Sequence, residues 1–314
     1  MACAAVALVS CADDTHYEAS IAPYKDACQC AISFTYDDGM LCHYTDVAPE
    51  LEKRGFRGTF WIIGVNMDTV SPDYPWMTWQ QVAELAQRGH EISNHTWTHP
   101  NLTTLDADAI RQELQHCDSV IEAVTGQRPL SMAYPYNAMS PEVIAICEQG
   151  RIATRTFQTG HGEVESHTTP DSLTAWLHGL IADGAWGVTM THGTTYGWDK
   201  WLHPEWLWAF YDQVKALQDT VWVGTFAQVA AYTQEAAVAQ LQCAAQDKRI
   251  DVTLTCDLDT QLYHQPLTIM IRGGHWDARH AVAEQNGNAC PVTARDSLLL
   301  VDVVPNDGVA HITW

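Results

Sequence analysis

Phe34-Thr35-Tyr36-Asp37-Asp38-Gly39 is the stretch on which the reading of this 314-residue chain turns. It closes the apolar run Ala31, Ile32, Phe34, so two acids stand side by side where a buried strand ends, and a glycine follows at once. Neighbouring residues on a strand point to opposite faces, so Asp37 and Asp38 share one pocket only if the chain is already turning. Gly39 permits that turn. Two carboxylates in close quarters repel and push a pKa upward unless a cation neutralises one of them. The pair therefore asks for a metal whose other ligands lie elsewhere; the plain alternative is a solvated Asp-Asp-Gly turn.

Outward from this stretch the chain alternates. After the strand Ala31 to Tyr36, helical spacing runs from Tyr44 to Arg54, and Gly58 to Ile63 reads as a second buried strand. Thr78 caps a helix that reaches Arg88, His90 to Ser93 is a short strand, and Ala107 to Val124 carries Ile110, Leu114, Cys117 and Ile121 on one stripe. Strands near Leu130 to Ala133, Arg151 to Thr154, Trp186 to Met190 and Val221 to Val223 alternate with helices at Pro141 to Gln149, Ser172 to Ala182, Pro204 to Leu217 and Thr225 to Gln240. The stretch before Thr169 has no assignment. About seven strand and helix units in succession predict an α/β fold, a parallel sheet closed as an irregular (β/α) barrel. Beyond about Arg249 the pattern changes to short β-branched alternating runs, Val252 to Cys256, Leu267 to Ile271, Ser297 to Val304 and Ala310 to Trp314, which predict a small C-terminal antiparallel β-domain. The expected division is 1–28 as signal-like N-terminus and linker, 29–245 as barrel and 246–314 as β-sandwich.

Sixteen Lys and Arg against 38 Asp and Glu give a formal charge of -22, which argues against nucleic acid or an anionic membrane as partner. Leu8-Val9-Ser10-Cys11 is similar to the lipobox of bacterial lipoproteins, although the basic n-region is missing, and it predicts export with a lipid anchor at Cys11. No apolar run approaches the roughly 20 residues of a membrane span. Eight cysteines follow, from Cys28 to Cys290, an even number that permits disulfides in an exported chain. Cys28, Cys30, Cys42 and His43 have poor spacing for a zinc site.

In parallel α/β folds functional residues gather at the C-terminal ends of strands. There the chain places His95-Thr96-Trp97-Thr98-His99, two imidazoles four apart, a spacing at which one helical turn aims both the same way. With a carboxylate they make a His, His, Asp set for a divalent metal with open positions. His90-Glu91 is not the zincin motif, because the next histidine comes one residue late. Val188-Thr189-Met190-Thr191-His192-Gly193 delivers a further histidine to the same rim. Between them, Ala133-Tyr134-Pro135-Tyr136-Asn137 offers a stiff turn that can present a backbone N–H. Taken singly, each has an ordinary alternative as a surface pair, a capping histidine or a packed turn.

In this order and at these strand ends, Thr35 to Gly39, His95 to His99, Tyr134 to Tyr136 and Met190 to His192 resemble the successive motifs of the polysaccharide deacetylase family, the NodB-homology carbohydrate esterases. The resemblance covers about residues 29 to 240. It implies that Asp38, His95 and His99 hold a divalent metal, most often zinc with cobalt or nickel as alternatives, that Asp37 is the general base and that His192 is the general acid. It further implies an oxyanion contact from the Tyr136 N–H, a wall for the acetyl methyl at Met190, and substrate contacts from Trp97 and Trp186. The substrate class implied is an acetylated carbohydrate, N-linked (chitin-like or peptidoglycan-like) or O-linked (xylan-like).

One departure matters. Where many members carry the arginine that holds the base, this chain has Ala133, and either Arg151 or Arg155 on the next strand could take its place. Candidates for the acid and tryptophan cluster that positions the acid histidine are Asp171, Asp183 and Trp186. Two rival readings stay open: a related hydrolase of small cyclic amides or imides, and a catalytically weak carbohydrate-binding protein on the same scaffold.

Overall fold

The computed structural model describes residues 6–10, 16–273, 276, 280–295 and 297–314. Two compact units divide the chain, Cys30–Val229 and a second that joins Met1–Gln29 to Ala230–Trp314.

Cys30–Val229 is built on two parallel sheets. One runs in the order Thr35–Tyr36, Thr59–Ile62, Glu91–Asn94, Ser131–Ala133, Ala153–Arg155; the other runs Val221–Val223, Cys30–Ser33, Trp186–Met190, Thr159–Gly160. They meet along the chain's first long strand path, Cys30 to Tyr36, and through a parallel bridge from Tyr36 to Thr191. The curled sheets carry the (β/α) barrel expected from the alternation. Every residue from Cys30 to Tyr36 is buried, as a parallel strand covered on both faces requires. Ile32, Phe34, Phe60 and Ile62 pack outward against Leu51, Val82, Leu85 and Phe210. Trp61, Ala133, Val188 and Phe226 form a separate cluster, with Trp61 on the opposite face of its strand from Phe60 and Ile62. Trp79–Gln87 starts at the expected cap, where the Thr78 hydroxyl and the Gln81 side chain satisfy each other's backbone N–H groups. Thr159–Gly160, in the unassigned stretch, adds a two-residue strand that pairs with the end of Trp186–Met190.

The second unit contains two five-stranded antiparallel sheets. Leu267, Ile269, Ile271, Leu299, Val301 and Val303 are buried on one, and Ile250, Val252, Leu254, Ala310 and Ile312 on the other, the alternation of sheets with one apolar face. The expected boundaries move here. His16–Ile21 pairs with Leu267–Arg272, and Val6–Ser10 pairs with His16–Ile21, so the stretch read as leader and linker supplies two strands to the C-terminal β unit. Pairing across some 250 positions leaves no local signal in a sequence. Cys11 lies outside the described residues. Among the described residues Cys30, Cys42, Cys117, Cys147, Cys243, Cys256 and Cys290 form no disulfide with one another. Among the described residues no helix is long and apolar enough to cross a membrane.

Candidate active site

Asp37 and Asp38 stand where the strand path gives way to a turn, and the turn is tight. Asp38 takes φ 84° and Gly39 φ 80°, and a Cβ on Gly39 would lie 2.8 Å from the Met67 methyl. The left-handed backbone is what favours glycine there, since the Met67 methyl ends a flexible side chain that can give way. The two acids part company at once.

Asp37 is 2% exposed and meets Arg155, itself 1% exposed, in a two-pronged pair: Nη1–H donates to Oδ1 at 2.6 Å and Nη2–H to Oδ2 at 2.5 Å. Arg155 also donates to the Thr35 hydroxyl at 3.1 Å and lies over the Trp61 ring at 5.6 Å. Burial alone would raise the Asp37 pKa, but the charge and hydrogen bonds of Arg155 more than reverse this and hold it well below the usual carboxylate range. Of the two arginines that could replace the absent one, Arg155 therefore faces Asp37. Arg151 is spent elsewhere, on Asp118 at 2.6 Å and the Pro129 carbonyl at 3.3 Å. The residue falls to Arg155 because it lies on the strand Ala153–Arg155, whereas Arg151 precedes that strand.

Asp38 instead faces the histidines. Its Oδ1 is buried without a hydrogen-bond partner and lies 3.5 Å from His95 Nε2 and 3.9 Å from His99 Nε2. Ligand atoms of the three residues all lie within 4.8 Å of one another, a donor set of one carboxylate and two imidazoles that fits a divalent cation. The second sphere agrees: His95 Nδ1–H donates to the Ala133 carbonyl at 2.8 Å, which leaves Nε2 with its lone pair toward the centre. Burial, with the charge of His95 next, pulls the His99 pKa down to about 4, so the ring is a neutral donor.

The histidine turn is not helical, against the expectation from its spacing. Thr96 and His99 both have positive φ, 68° and 60°, and the two rings come together at 4.9 Å between centroids through that irregular path. A clamp from the helix Ala107–Thr125 holds it: the Glu113 carboxylate accepts from the Trp97 N–H at 2.9 Å, the Thr98 N–H at 2.7 Å and the Thr98 hydroxyl at 2.7 Å. The Thr96 hydroxyl accepts from the His99 N–H at 3.0 Å, and Asn94 Oδ1 from the Thr96 N–H at 2.7 Å. Removing the clamp is expected to loosen the histidine pair. Glu113→Ala should weaken zinc binding about ten-fold in competition with a chromophoric chelator, and Glu113→Gln less, since its amide oxygen still accepts. Unchanged affinity in Glu113→Ala would assign the turn's shape to the other contacts alone.

His192 follows the strand Trp186–Met190 and lines the same cleft, about 420 Å3 in volume, with Met190, Tyr136 and the acids. Buried His43, its own pKa drawn down to about 4 by burial, donates from Nε2 to the His192 carbonyl at 2.7 Å and so fixes the backbone there. Tyr136 sits second in the 3-10 turn Pro135–Asn137 with φ 58°, where its N–H precedes any partner within the turn. Three expectations fail. Trp97 packs down on Gly64, where a Cβ would lie 2.1 Å from the ring, and stacks on His116 at 3.8 Å, so it is not at the cleft. Trp186 opens its strand, at the far end from His192, donates Nε1–H to the Ser33 hydroxyl at 3.0 Å and packs against Phe157 and Phe226. Asp171 lies in the first turn of the helix Pro170–Asp183 and Asp183 at its last position, neither lining the cleft, and among the described residues His192 Nδ1 has no hydrogen-bond partner. Sequence reasoning also missed Trp198 and Asn137, both at the cleft. Asn137 adjoined a quoted motif; Trp198 sits in a loop with no motif to flag it.

The family model described as polysaccharide deacetylase matches residues 25–154. A chitin deacetylase of Pestalotiopsis sp is 27% identical over 164 residues, which cover 51% of this chain and 52% of that protein. A gellan lyase of Bacillus sp is 24% identical over 345 residues, 95% of this chain and 13% of the lyase, so the chain spans about half the length of one curated relative and a small part of the other. A solved structure from Mycobacterium smegmatis, described as a candidate polysaccharide deacetylase, shares the fold with a TM-score of 0.56 at 19% identity, over 67% of this chain and 92% of that one. The matched stretch holds Asp37, Asp38, His95, His99 and Tyr136, and stops one residue short of Arg155. Residues 25–154 of this chain are thus similar to the polysaccharide deacetylase family.

Proposed function

We propose that the protein is a metal-dependent hydrolase that removes acetyl groups, N- or O-linked, from a poly- or oligosaccharide. The observation that carries this reading is the division of labour between the acids: Asp38 turns to two histidines with an unpartnered buried oxygen, while Asp37 is kept ionised beside them by Arg155. Asp38, His95 and His99 would hold a divalent cation, with zinc the first choice, and the cation would supply Lewis-acid polarisation of the acetyl carbonyl and of water, while ionised Asp37 stands beside them to accept the proton.

The chain's own groups supply the rest. Asp37 receives a proton on an oxygen whose orientation Arg155 fixes. The Tyr136 N–H donates to the oxygen that gains charge as the carbonyl is attacked. His192 protonates the departing amine or alcohol, and Met190 walls the side that takes the methyl. Arg155 removes what kept the cyclic-amide reading alive, namely the apparent lack of an arginine for the base. A binding-only protein has no use for a buried ion pair aimed at its cleft. Export with lipidation at Cys11 rests on the sequence Leu8 to Cys11 alone, and maturation there would remove the strand Val6–Ser10.

With zinc or cobalt added, acetate is expected from chitooligosaccharides or acetylated xylan, and Asp37→Asn should lower kcat about 10²- to 10⁴-fold while sugar binding persists. The reading is lost if no acetate appears from either substrate and Asp37→Asn binds sugar as the parent does.

A further inference from the structure

Two exposed aromatic rings at the cleft are unused by the chemistry above. Trp198 is 47% exposed and Tyr136 68%. The Tyr136 ring tilts against His99 at 4.6 Å, and the Trp198 ring meets His192 nearly edge-on, 4.7 Å between centroids and 73° between planes. One ring therefore stands beside a metal-side histidine and the other beside the proposed acid.

Trp198 is mounted, not loose. The neighbouring Asp199 is 2% exposed, and its carboxylate accepts from the Glu165 N–H at 2.7 Å, the Ser166 N–H at 3.0 Å and the Ser166 hydroxyl at 2.5 Å. The Glu163 carboxylate accepts from the N–H groups of Leu202 at 2.7 Å and His203 at 2.5 Å. Between them Trp201 is fully buried and donates its backbone N–H to the Gly193 carbonyl at 3.3 Å. On the other side Gly197 has φ 94°, and a Cβ there would meet the Met40 methyl at 2.3 Å. Both flanks are fixed while the large ring between them faces the cleft beside His192, an apolar surface that a ligand there can cover.

The chemistry of the site says what covers it. His192 protonates the leaving nitrogen or oxygen, and that atom belongs to the sugar, so the sugar ring lies on the His192 side and only the acetyl group reaches toward Met190. A pyranose presents a face of C–H groups that suits an aromatic surface, and this contact needs no charge, in keeping with a chain of net charge -22. Resting on the deacetylase reading, we propose that Trp198 is a specificity-determining residue: the platform on which the acetyl-bearing sugar ring stacks, held in place by Asp199.

Steady-state kinetics on an acetylated oligosaccharide and on ethyl acetate, which has no ring to stack, test this. Trp198→Ala is expected to raise KM for the oligosaccharide about ten-fold, with a much smaller loss in kcat/KM on ethyl acetate, and Trp198→Phe to restore most of it. One equivalent of zinc in each variant shows an intact centre. Equal losses on both substrates would make Trp198 a prop for His192 and overturn the proposal, as would an unchanged oligosaccharide KM. Parent protein that hydrolyses ethyl acetate but no acetylated oligosaccharide would overturn the carbohydrate reading itself, and the platform with it.

Discussion

Arg155→Ala is expected to lower kcat about 10³-fold and to destabilise the protein by about 3–5 kcal/mol. The two effects share one cause. Asp37 and Arg155 are 2% and 1% exposed, and removal of the guanidinium leaves a buried carboxylate with no compensating charge. Its oxygens then lose both donors of the fork and the orientation these impose. Arg155→Lys supplies charge at a point and cannot donate to both oxygens at once, so it should recover stability before activity. Asp37→Asn combined with Arg155→Ala should be less damaging than the sum of the singles, because the unpaired charge disappears with the acid. A kcat within a few-fold of the parent in both Arg155 variants would show that Asp37 needs no such partner.

The sign of the pH dependence gives an independent check in metal-free protein. In the parent the folded-state pKa of Asp37 lies below its unfolded value near 3.8, so the pair's contribution is complete above that value and is lost as pH falls through the depressed native pKa. Without Arg155 only burial remains as the main influence, and burial raises the pKa. The variant's deficit should therefore appear as pH rises through 3.8 toward neutrality and shrink in acid. Urea unfolding at a series of pH values reads this directly. A deficit constant with pH would mean that packing, not charge, is what Arg155 contributes.

How far such groups can be read from the sequence depends on whether local order or long-range geometry places them. Asp37, Asp38, His95, His99 and His192 were legible because parallel strands deliver their ends to one rim, so three separate motifs became one site once the alternation was recognised. Arg155 was only half legible. Two arginines four positions apart looked equivalent, and the difference lies in where the strand Ala153–Arg155 begins, the least readable feature of an element. The helical turn expected for His95 to His99 failed because Thr96 and His99 adopt left-handed backbone, which the Glu113 clamp and the Thr96 hydroxyl stabilise from outside the motif. Trp97 and Trp186 illustrate the converse error: aromatic residues inside or near a motif, one packed on a glycine and one at the wrong end of its strand. Trp198 was invisible for a related reason. Its placement rests on a buried carboxylate from the next residue that bonds a loop more than 30 positions away.

The proposed metal site carries the other large effect. His95→Ala and His99→Ala should each weaken zinc binding at least about 100-fold, since a three-ligand site that loses one donor keeps too few to exclude water and hold the ion. The two losses should differ in kind. The His95 side chain is 2% exposed and tied by Nδ1–H to the Ala133 carbonyl, so its removal opens the floor of the site and costs stability even without metal. His99, with 23% of its side chain exposed, can be replaced with little effect on the apoprotein. Zinc at about a thousand times the parent Kd should stabilise the parent by about 4 kcal/mol, whereas the same concentration should stabilise a variant with 100-fold weaker binding by only about 1.4 kcal/mol, roughly a third of the parent's thermal shift. Melting curves with and without zinc, together with metal content after dialysis, test this without reference to turnover. A variant that keeps a full equivalent of zinc and the parent's thermal shift would place the ion elsewhere, and Asp38 would then be a buried acid still in need of a partner.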